Sequence, residues 1–277
     1  MKNICLFLVL IVCNLMALEI DGFSHPESVL AGSEVYVSNI GEKREALAKD
    51  GDGYISKLSE SGEVLERYFI KGLNAPKGMG RVGSVLYVAD IDKIKGFDLA
   101  NKNQVFEILI KDAISLNDIT ILDGKYIFVS DNRKGVIYKI DIAKKKYELF
   151  LEVDSKFGGP NGVLVDREAD TLFVVTFAPA KKIKGSLLGY SLKDKKMIFQ
   201  TQPIGSLDGI AFDKDKNFIV SDWGEKYQGK IYRISREGKI TPLNLESMKG
   251  PADIGVNGNV LWIPKLVENK VSRIQNF

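Results

Sequence analysis

The chain has 277 residues, 45% of them hydrophobic, and a formal charge of +3 spread over intermixed basic and acidic side chains. That balance supplies ample core for one soluble domain and excludes the strongly basic face of a nucleic-acid-binding protein. With 26 glycines against 8 prolines, the composition suits many tight turns better than long helices.

The N-terminus reads as a cleavable export signal over residues 1–17. Lys2 supplies the positive start, Ile4 to Val12 the apolar run, and Ala17 a small residue before the cut. The run falls short of the ~20 apolar residues a membrane helix needs, and no later segment approaches that length, so no transmembrane anchor is expected. Cys5 and Cys13, the two cysteines, both lie inside it. A lipid-accepting Cys13 is the weaker reading, because Val12 is a poor residue at that junction. The mature domain, residues 18–277, is therefore expected in the periplasm or medium without disulfides, relying on its hydrophobic core.

From there one unit recurs along the chain: a short motif, a turn, an apolar strand, a polar turn and a further strand. It opens at Pro26-Glu27-Ser28-Val29, followed by Glu34-Val35-Tyr36-Val37-Ser38. Pro76-Lys77-Gly78-Met79 precedes Val85-Leu86-Tyr87-Val88-Ala89-Asp90, and Leu116-Asn117-Asp118-Ile119 precedes Tyr126-Ile127-Phe128-Val129-Ser130-Asp131. Pro160-Asn161-Gly162-Val163 leads to Leu172-Phe173-Val174-Val175, and Leu207-Asp208-Gly209-Ile210 to Phe218-Ile219-Val220-Ser221-Asp222. Pro251-Ala252-Asp253-Ile254 before Val260-Leu261-Trp262-Ile263 is the last copy. A period of roughly 40–50 residues built from β-branched and aromatic strands is that of a four-stranded propeller blade. The expected fold is all-β, a six-bladed β-propeller. The last copy ends after its third strand, and Leu18-Glu19-Ile20 is expected to supply the fourth and close the ring.

In a propeller the innermost strand of each blade lines the axis, so equivalent positions converge there. Read in register, that position holds Glu27, Lys77, Asn117, Asn161, Asp208 and Ala252. Glu27, Asn117, Asn161 and Asp208 are hard oxygen donors with two formal negative charges, a set that suits Ca²⁺ or a similar divalent cation. A zinc site is disfavoured: the mature chain holds no cysteine and one histidine, His25. Asn and Asp are also good turn residues, but four in one register of an axial repeat point to a metal. Lys77 either meets substrate or pairs with Glu27, and Asp118 and Asp253 either support the ligands or form turns.

These motifs resemble the senescence marker protein/gluconolactonase superfamily, which includes diisopropyl fluorophosphatase and bacterial lactonases. The residues that carry the resemblance are Pro26-Glu27-Ser28, Asn117-Asp118, Pro160-Asn161-Gly162 and Asp208-Gly209-Ile210. It implies a six-bladed propeller holding Ca²⁺ through Glu27, Asn117, Asn161 and Asp208, with Asp208 as catalytic base or nucleophile. Lys77, Asn117 and Asp118 are then the expected substrate contacts, and the substrate a small lactone or ester. The chain departs from the family at Ser115, where sugar lactonases tend to place Arg, at Leu30 and Ala31, where an aromatic is usual, and in lacking assisting histidines. His25 reads as a residue at the channel mouth or strand end.

Other motifs carry less. Gly224-Glu225-Lys226-Tyr227-Gln228-Gly229-Lys230 imitates a phosphate-binding loop, but Ile231 stands where Ser or Thr must bind Mg²⁺ and no helix follows, so no nucleotide is expected. Asp50-Gly51-Asp52-Gly53 starts like a calcium loop without the later ligands. Asp90, Asp131 and Asp222 each end a second strand and read as turn caps. Lys144-Lys145-Lys146 and Lys181-Lys182 read as solvated turns. Two functional readings follow: a metal-dependent hydrolase acting as a monomer on a small molecule, and a non-catalytic propeller that holds a ligand or protein partner with the insertions 41–53 and 178–185.

Overall fold

Each repeat unit contains runs of five to seven β-branched and aromatic residues, punctuated by Asp-, Lys- and Gly-containing turns, and each run forms a strand. The computed structural model describes residues 17–178 and 183–277. The export-signal assignment up to Met16, both cysteines and the Lys181-Lys182 run lie outside the described residues. Among the described residues the only helical pieces are single 3₁₀ turns at Ser155–Phe157 and Glu225–Tyr227, and no helix is long and apolar enough to cross a membrane.

The strands form six four-stranded antiparallel sheets in a ring, a six-bladed β-propeller. Blade one runs outward from the axis as β2 (Pro26–Leu30), β3 (Glu34–Asn39), β4 (Gly53–Ser59) and β5 (Val64–Leu73). Blade two is β6 (Pro76–Val82) to β9 (Gln104–Leu109), and blade three β10 (Leu116–Leu122) to β13 (Lys146–Glu152). Blade four is β14 (Gly159–Asp166) to β17 (Met197–Gln200), and blade five β18 (Leu207–Phe212) to β21 (Ile240–Pro242). Blade six joins β22 (Gly255–Asn257), β23 (Val260–Lys265) and β24 (Lys270–Gln275) to β1 (Ala17–Asp21). The ring thus closes as the repeat requires, with Ala17 opposite Ile274 and Asp21 opposite Lys270. Glu19 locks that seam by accepting from Ser272 Oγ at 2.6 Å and pairing with Lys265 Nζ at 2.5 Å.

The cores lie between blades, which explains why the second strands read as unbroken apolar runs. Successive side chains of a strand point to opposite faces, and both faces are covered by a neighbouring blade. Ile127 and Val129 of β11 (Tyr126–Asp131) pack with Tyr87 and Ala89 of blade two, while Phe128 between them packs with Val163, Leu172 and Val174 of blade four. Phe218 and Val220 likewise face blade four and Ile219 faces blade six. Trp262, fully buried, joins blade six to Val35, Val37 and Leu58 of blade one.

The strand-end carboxylates of blades two, three and five are caps that tie the second strand to the loop entering the innermost strand. Asp90 accepts the Asn74 and Ala75 N–H groups at 3.0 and 2.9 Å. Asp131 accepts those of Ile114, Ser115 and Lys134 at 2.7, 3.1 and 3.1 Å, and Asp222 those of Ser206 and Gly224 at 2.8 and 3.1 Å. In blade one Asn39 does this for Ser24 at 3.2 Å. Asp131→Ala would strand its buried donors, so urea unfolding is expected to show a loss of about 3 kcal/mol, given about 1–3 kcal/mol for an orphaned buried group.

Candidate metal centre

Every innermost strand of the first five blades carries a β-bulge at the same place. Pairing between β10 and β11 jumps from Leu116–Asp131 to Ile119–Val129, so Asn117 and Asp118 together oppose Ser130. Equivalent jumps fall at Pro26/Ser28, Pro76/Met79, Pro160/Val163 and Leu207/Ile210. A bulge bends its strand and re-aims a side chain, and here it turns Glu27, Lys77, Asn117, Asn161 and Asp208 toward the axis.

The serine opposite the bulge holds it open. Ser130 Oγ accepts the Asp118 N–H at 3.1 Å and donates to the Asn161 carbonyl of the next blade at 2.6 Å. Ser221 repeats this with the Gly209 N–H at 2.8 Å and the Ala252 carbonyl at 2.7 Å, and Ser38 accepts the Ser28 N–H at 2.9 Å. Each of the Ser130 and Ser221 hydroxyls therefore fixes one site backbone and ties it to the adjoining blade. Glycine at the second bulge position lets the inner strands crowd together. A Cβ on Gly78 would lie 2.6 Å from Asp118 Oδ1, and one on Gly162 2.4 Å from the Asp208 carbonyl.

Glu27, Asn117, Asn161 and Asp208 are all buried. Each presents one oxygen with no hydrogen-bond partner among the described residues: Glu27 Oε2, Asn117 Oδ1, Asn161 Oδ1 and Asp208 Oδ1. The second polar atom is engaged in three of them. Asn161 Nδ2 donates to the Leu207 carbonyl at 3.4 Å, Trp223 Nε1 donates to Asp208 Oδ2 at 2.5 Å, and Lys77 Nζ donates to Glu27 Oε1 at 3.4 Å. A buried acceptor left unsatisfied costs about 1–3 kcal/mol, more when charged, so four from separate blades form a set awaiting a partner. Hard oxygens, two of them charged, fit a divalent cation of the Ca²⁺ kind. No three His, Cys, Asp or Glu side chains cluster in metal-binding fashion among the described residues, so such a site depends on the two carboxamides.

Asp118 and Asp253 sit beside this set. Asp118 accepts the Ile119 and Val163 N–H groups at 2.6 and 2.7 Å, and Asp253 accepts from Ser28 Oγ at 2.5 Å. Asp253 also joins blades six and one at the axis, its N–H donating to the Glu27 carbonyl at 2.8 Å and its carbonyl accepting the Val29 N–H at 3.1 Å. Burial pushes Asp208 up to about 8, reinforced by the Glu27 charge and opposed by the Trp223 N–H, and pushes Asp118 up to about 7. Burial also raises Glu27, against the pull of Lys77, and raises Asp253.

Trp223 is the residue the sequence reading passes over. It follows the Asp222 cap, fixes Asp208, and stacks edge-on with Phe177 at 5.9 Å between ring centres. With Ile40, Ile91, Leu266 and Val267 it belongs to an apolar cluster around Ala252, joined by Leu47 of the 41–53 insertion. The insertion's Asp52 accepts the Glu42 N–H at 2.9 Å, so the calcium-loop-like stretch is a turn. The phosphate-loop-like stretch joins β19 (Phe218–Asp222) to β20 (Lys230–Ile234). His25 lies at a strand end, its Nδ1 3.0 Å from the Gly41 carbonyl.

No family model matches the chain, and no curated protein matches it. Solved structures share the fold at low identity. Hydrazine synthase of Kuenenia stuttgartiensis superposes with a TM-score of 0.67 at 17% identity, over 91% of this chain and 77% of that one. A catalytically inactive histidine-to-alanine variant of virginiamycin B lyase from Staphylococcus aureus, solved with quinupristin, gives 0.63 at 14%, over 95% and 99%. A chain of a nidogen/laminin complex gives 0.63 at 16%, over 90% and 89%. These likenesses establish a propeller fold.

The raised carboxyls set a pH dependence. A carboxylic acid whose folded pKa lies above its unfolded value near 3.9–4.3 stabilises the fold below that value and loses the contribution as pH rises through the folded pKa. Chelator-treated protein is therefore expected to lose thermal stability between about pH 4 and pH 8, and a bound divalent cation to reverse the loss. A melting temperature flat or rising across that window, followed by calorimetry, would contradict the assignment.

Proposed function

We propose that the protein is a divalent-cation-dependent hydrolase of the lactonase type, with Ca²⁺ as the cation and a small lactone or ester as substrate. The observation that carries this reading is the set of four unpartnered oxygens, one each from Glu27, Asn117, Asn161 and Asp208. Glu27 and Asp208 match the charge of a divalent ion, and the two carboxamides add donors without overloading it. When bound, the cation would supply Lewis acidity toward a carbonyl oxygen.

The chain's own residues support the rest of the chemistry. Trp223 holds Asp208 Oδ2 and leaves Oδ1 to face the cation; ligation would keep Asp208 ionised beside the substrate carbonyl, placed to act as base toward an attacking water or as nucleophile. Asn117 and Lys77 face the substrate side of the ring in this reading. Asp118, with its oxygens already taken by Ile119 and Val163, acts by fixing the Asn117 and Asn161 strands. The apolar mouth around Trp223, Leu266 and Leu47 thins the water near the reacting carbonyl and strengthens each charge interaction. This chain's one histidine, His25, has its Nδ1 3.0 Å from the Gly41 carbonyl and takes no part in this reading. In this reading the chain is exported as a monomer, and cleavage after Ala17 leaves Leu18 to Asp21 to pair with β24.

Elemental analysis of purified protein, paired with a lactone and ester turnover screen in Ca²⁺ and in chelator, tests the proposal. Wild type is expected to carry one divalent ion and hydrolyse a member of the panel. Asn161→Ala should lose most of the metal, and Asp208→Asn should lose at least about 100-fold in kcat, in line with general acid–base contributions. Metal-free wild type would sink the site. Bound metal without turnover on lactones, esters or phosphotriesters would leave a ligand-binding propeller.

A further inference from the structure

Lys77 occupies the blade-two position of the ring that otherwise holds oxygen donors and Ala252. Its backbone lies in the β6 bulge between Pro76 and Met79. Its side chain is only 8% exposed and that of Glu27 only 4%, with Nζ 3.4 Å from Glu27 Oε1. This contact is loose: charge-assisted N–H···O bonds run at about 2.7–2.9 Å. Among the described residues it is also the only partner of the ammonium, although that group carries three donors. Glu27 Oε2 meanwhile has no partner among the described residues. The Lys77 charge acts on the buried carboxyls of Glu27 and Asp208, and the buried Asp118 and Asp253 carboxyls lie close enough to those two to add to their repulsion.

Building on the cation-binding reading above, we infer that the Lys77 ammonium is a tethered rival of the divalent ion for Glu27, so that metal enters the ring only as Lys77 withdraws. Two cations sharing one carboxylate in a site this dry repel strongly, because little water screens them. Lysine suits the part, as a compact charge on a flexible four-carbon stem that can leave without unfolding its strand. The fixed partner of Asp208, the Trp223 indole, is neutral and offers no such competition. Lys77 thereby sets how tightly the ring holds metal, and it leaves the metal-free ring partly compensated so that the propeller can close before metal arrives. Once displaced from Glu27, the ammonium would be free to meet the substrate.

Titration calorimetry with CaCl₂ on chelator-stripped protein tests this. Lys77→Met is expected to bind Ca²⁺ about tenfold more tightly or better than wild type, because a full repelling charge is gone. Lys77→Arg, which keeps the charge, should stay within about threefold of wild type by the same reasoning. A second readout is thermal: Ca²⁺ should raise the melting temperature of Lys77→Met by more than it raises that of wild type. Lys77→Gln serves if the methionine variant does not fold. Equal or weaker binding by both neutral variants overturns the inference while leaving the metal site intact. Binding by a neutral variant but not by wild type supports it in its strongest form. Absence of binding by every protein overturns the cation site and this inference together.

Discussion

The structure depends on bringing partly unpaired oxygen atoms together where water is scarce. Isolated buried charge is among the most expensive features a fold can carry. Glu27, Asp118, Asp208 and Asp253 share one buried region with a single ammonium, and four oxygens there lack any donor. Such an arrangement persists only if the surrounding structure over-determines it. The propeller provides this through the inter-blade cores, in which alternate side chains of one strand bury against opposite neighbours. Closing the last blade with β1 and tying Asp253 to Glu27 and Val29 at the axis stops the blades from spreading to relieve the repulsion.

The local device that aims the oxygens is modest. A bulge puts two residues against one, a serine hydroxyl satisfies the backbone N–H the bulge would orphan, and in blades three and five the same hydroxyl ties the strand to the next. The first bulge residue can then be a ligand and the second a glycine, because the next blade's backbone lies too close for a Cβ at Gly78, Gly162 and Gly209. Where the second residue is Asp118 its carboxylate instead accepts the neighbouring strand's Val163 N–H. Strand-end carboxylates such as Asp131 then fix the loop that leads in. Strand, bulge and cap form one unit repeated around the ring with changes in side chain.

Much of this was legible in the sequence because it repeats. The period, the apolar second strands and the register of Glu27, Asn117, Asn161 and Asp208 all follow from aligning the chain with itself. So does the role of Leu18-Glu19-Ile20, since a last unit lacking a strand needs one from elsewhere. What stayed hidden acts across blades or only once. The serines at 38, 130 and 221 precede the caps Asn39, Asp131 and Asp222 and could have been noticed as Ser-Asn or Ser-Asp pairs, but the bonds of Ser130 and Ser221 reach the following blade. Trp223 has no counterpart in other units, so no register marks it. The choice between substrate and Glu27 for Lys77 depends on a side-chain direction that spacing does not encode.

The two ring carboxylates end up with opposite kinds of partner, and this separates their roles. Asp208 is held by a rigid, neutral indole at 2.5 Å, itself packed against Phe177. That contact fixes one oxygen without lending it charge, so burial and the Glu27 charge dominate and its proton is held up to about pH 8. Glu27 faces an ammonium at a loose 3.4 Å, which offsets part of its burial cost and, in the inference drawn above, is exchanged for another cation. In the proposed reaction a bound cation would draw the Asp208 proton off, and a carboxylate meant to act as base gains from its fixed position. A group meant to hold charge gains from a compensating ion that can change. The sequence order Glu27, then Lys77 one blade on, and Asp208 with Trp223 in blade five builds that asymmetry into a ring whose backbone is otherwise nearly uniform.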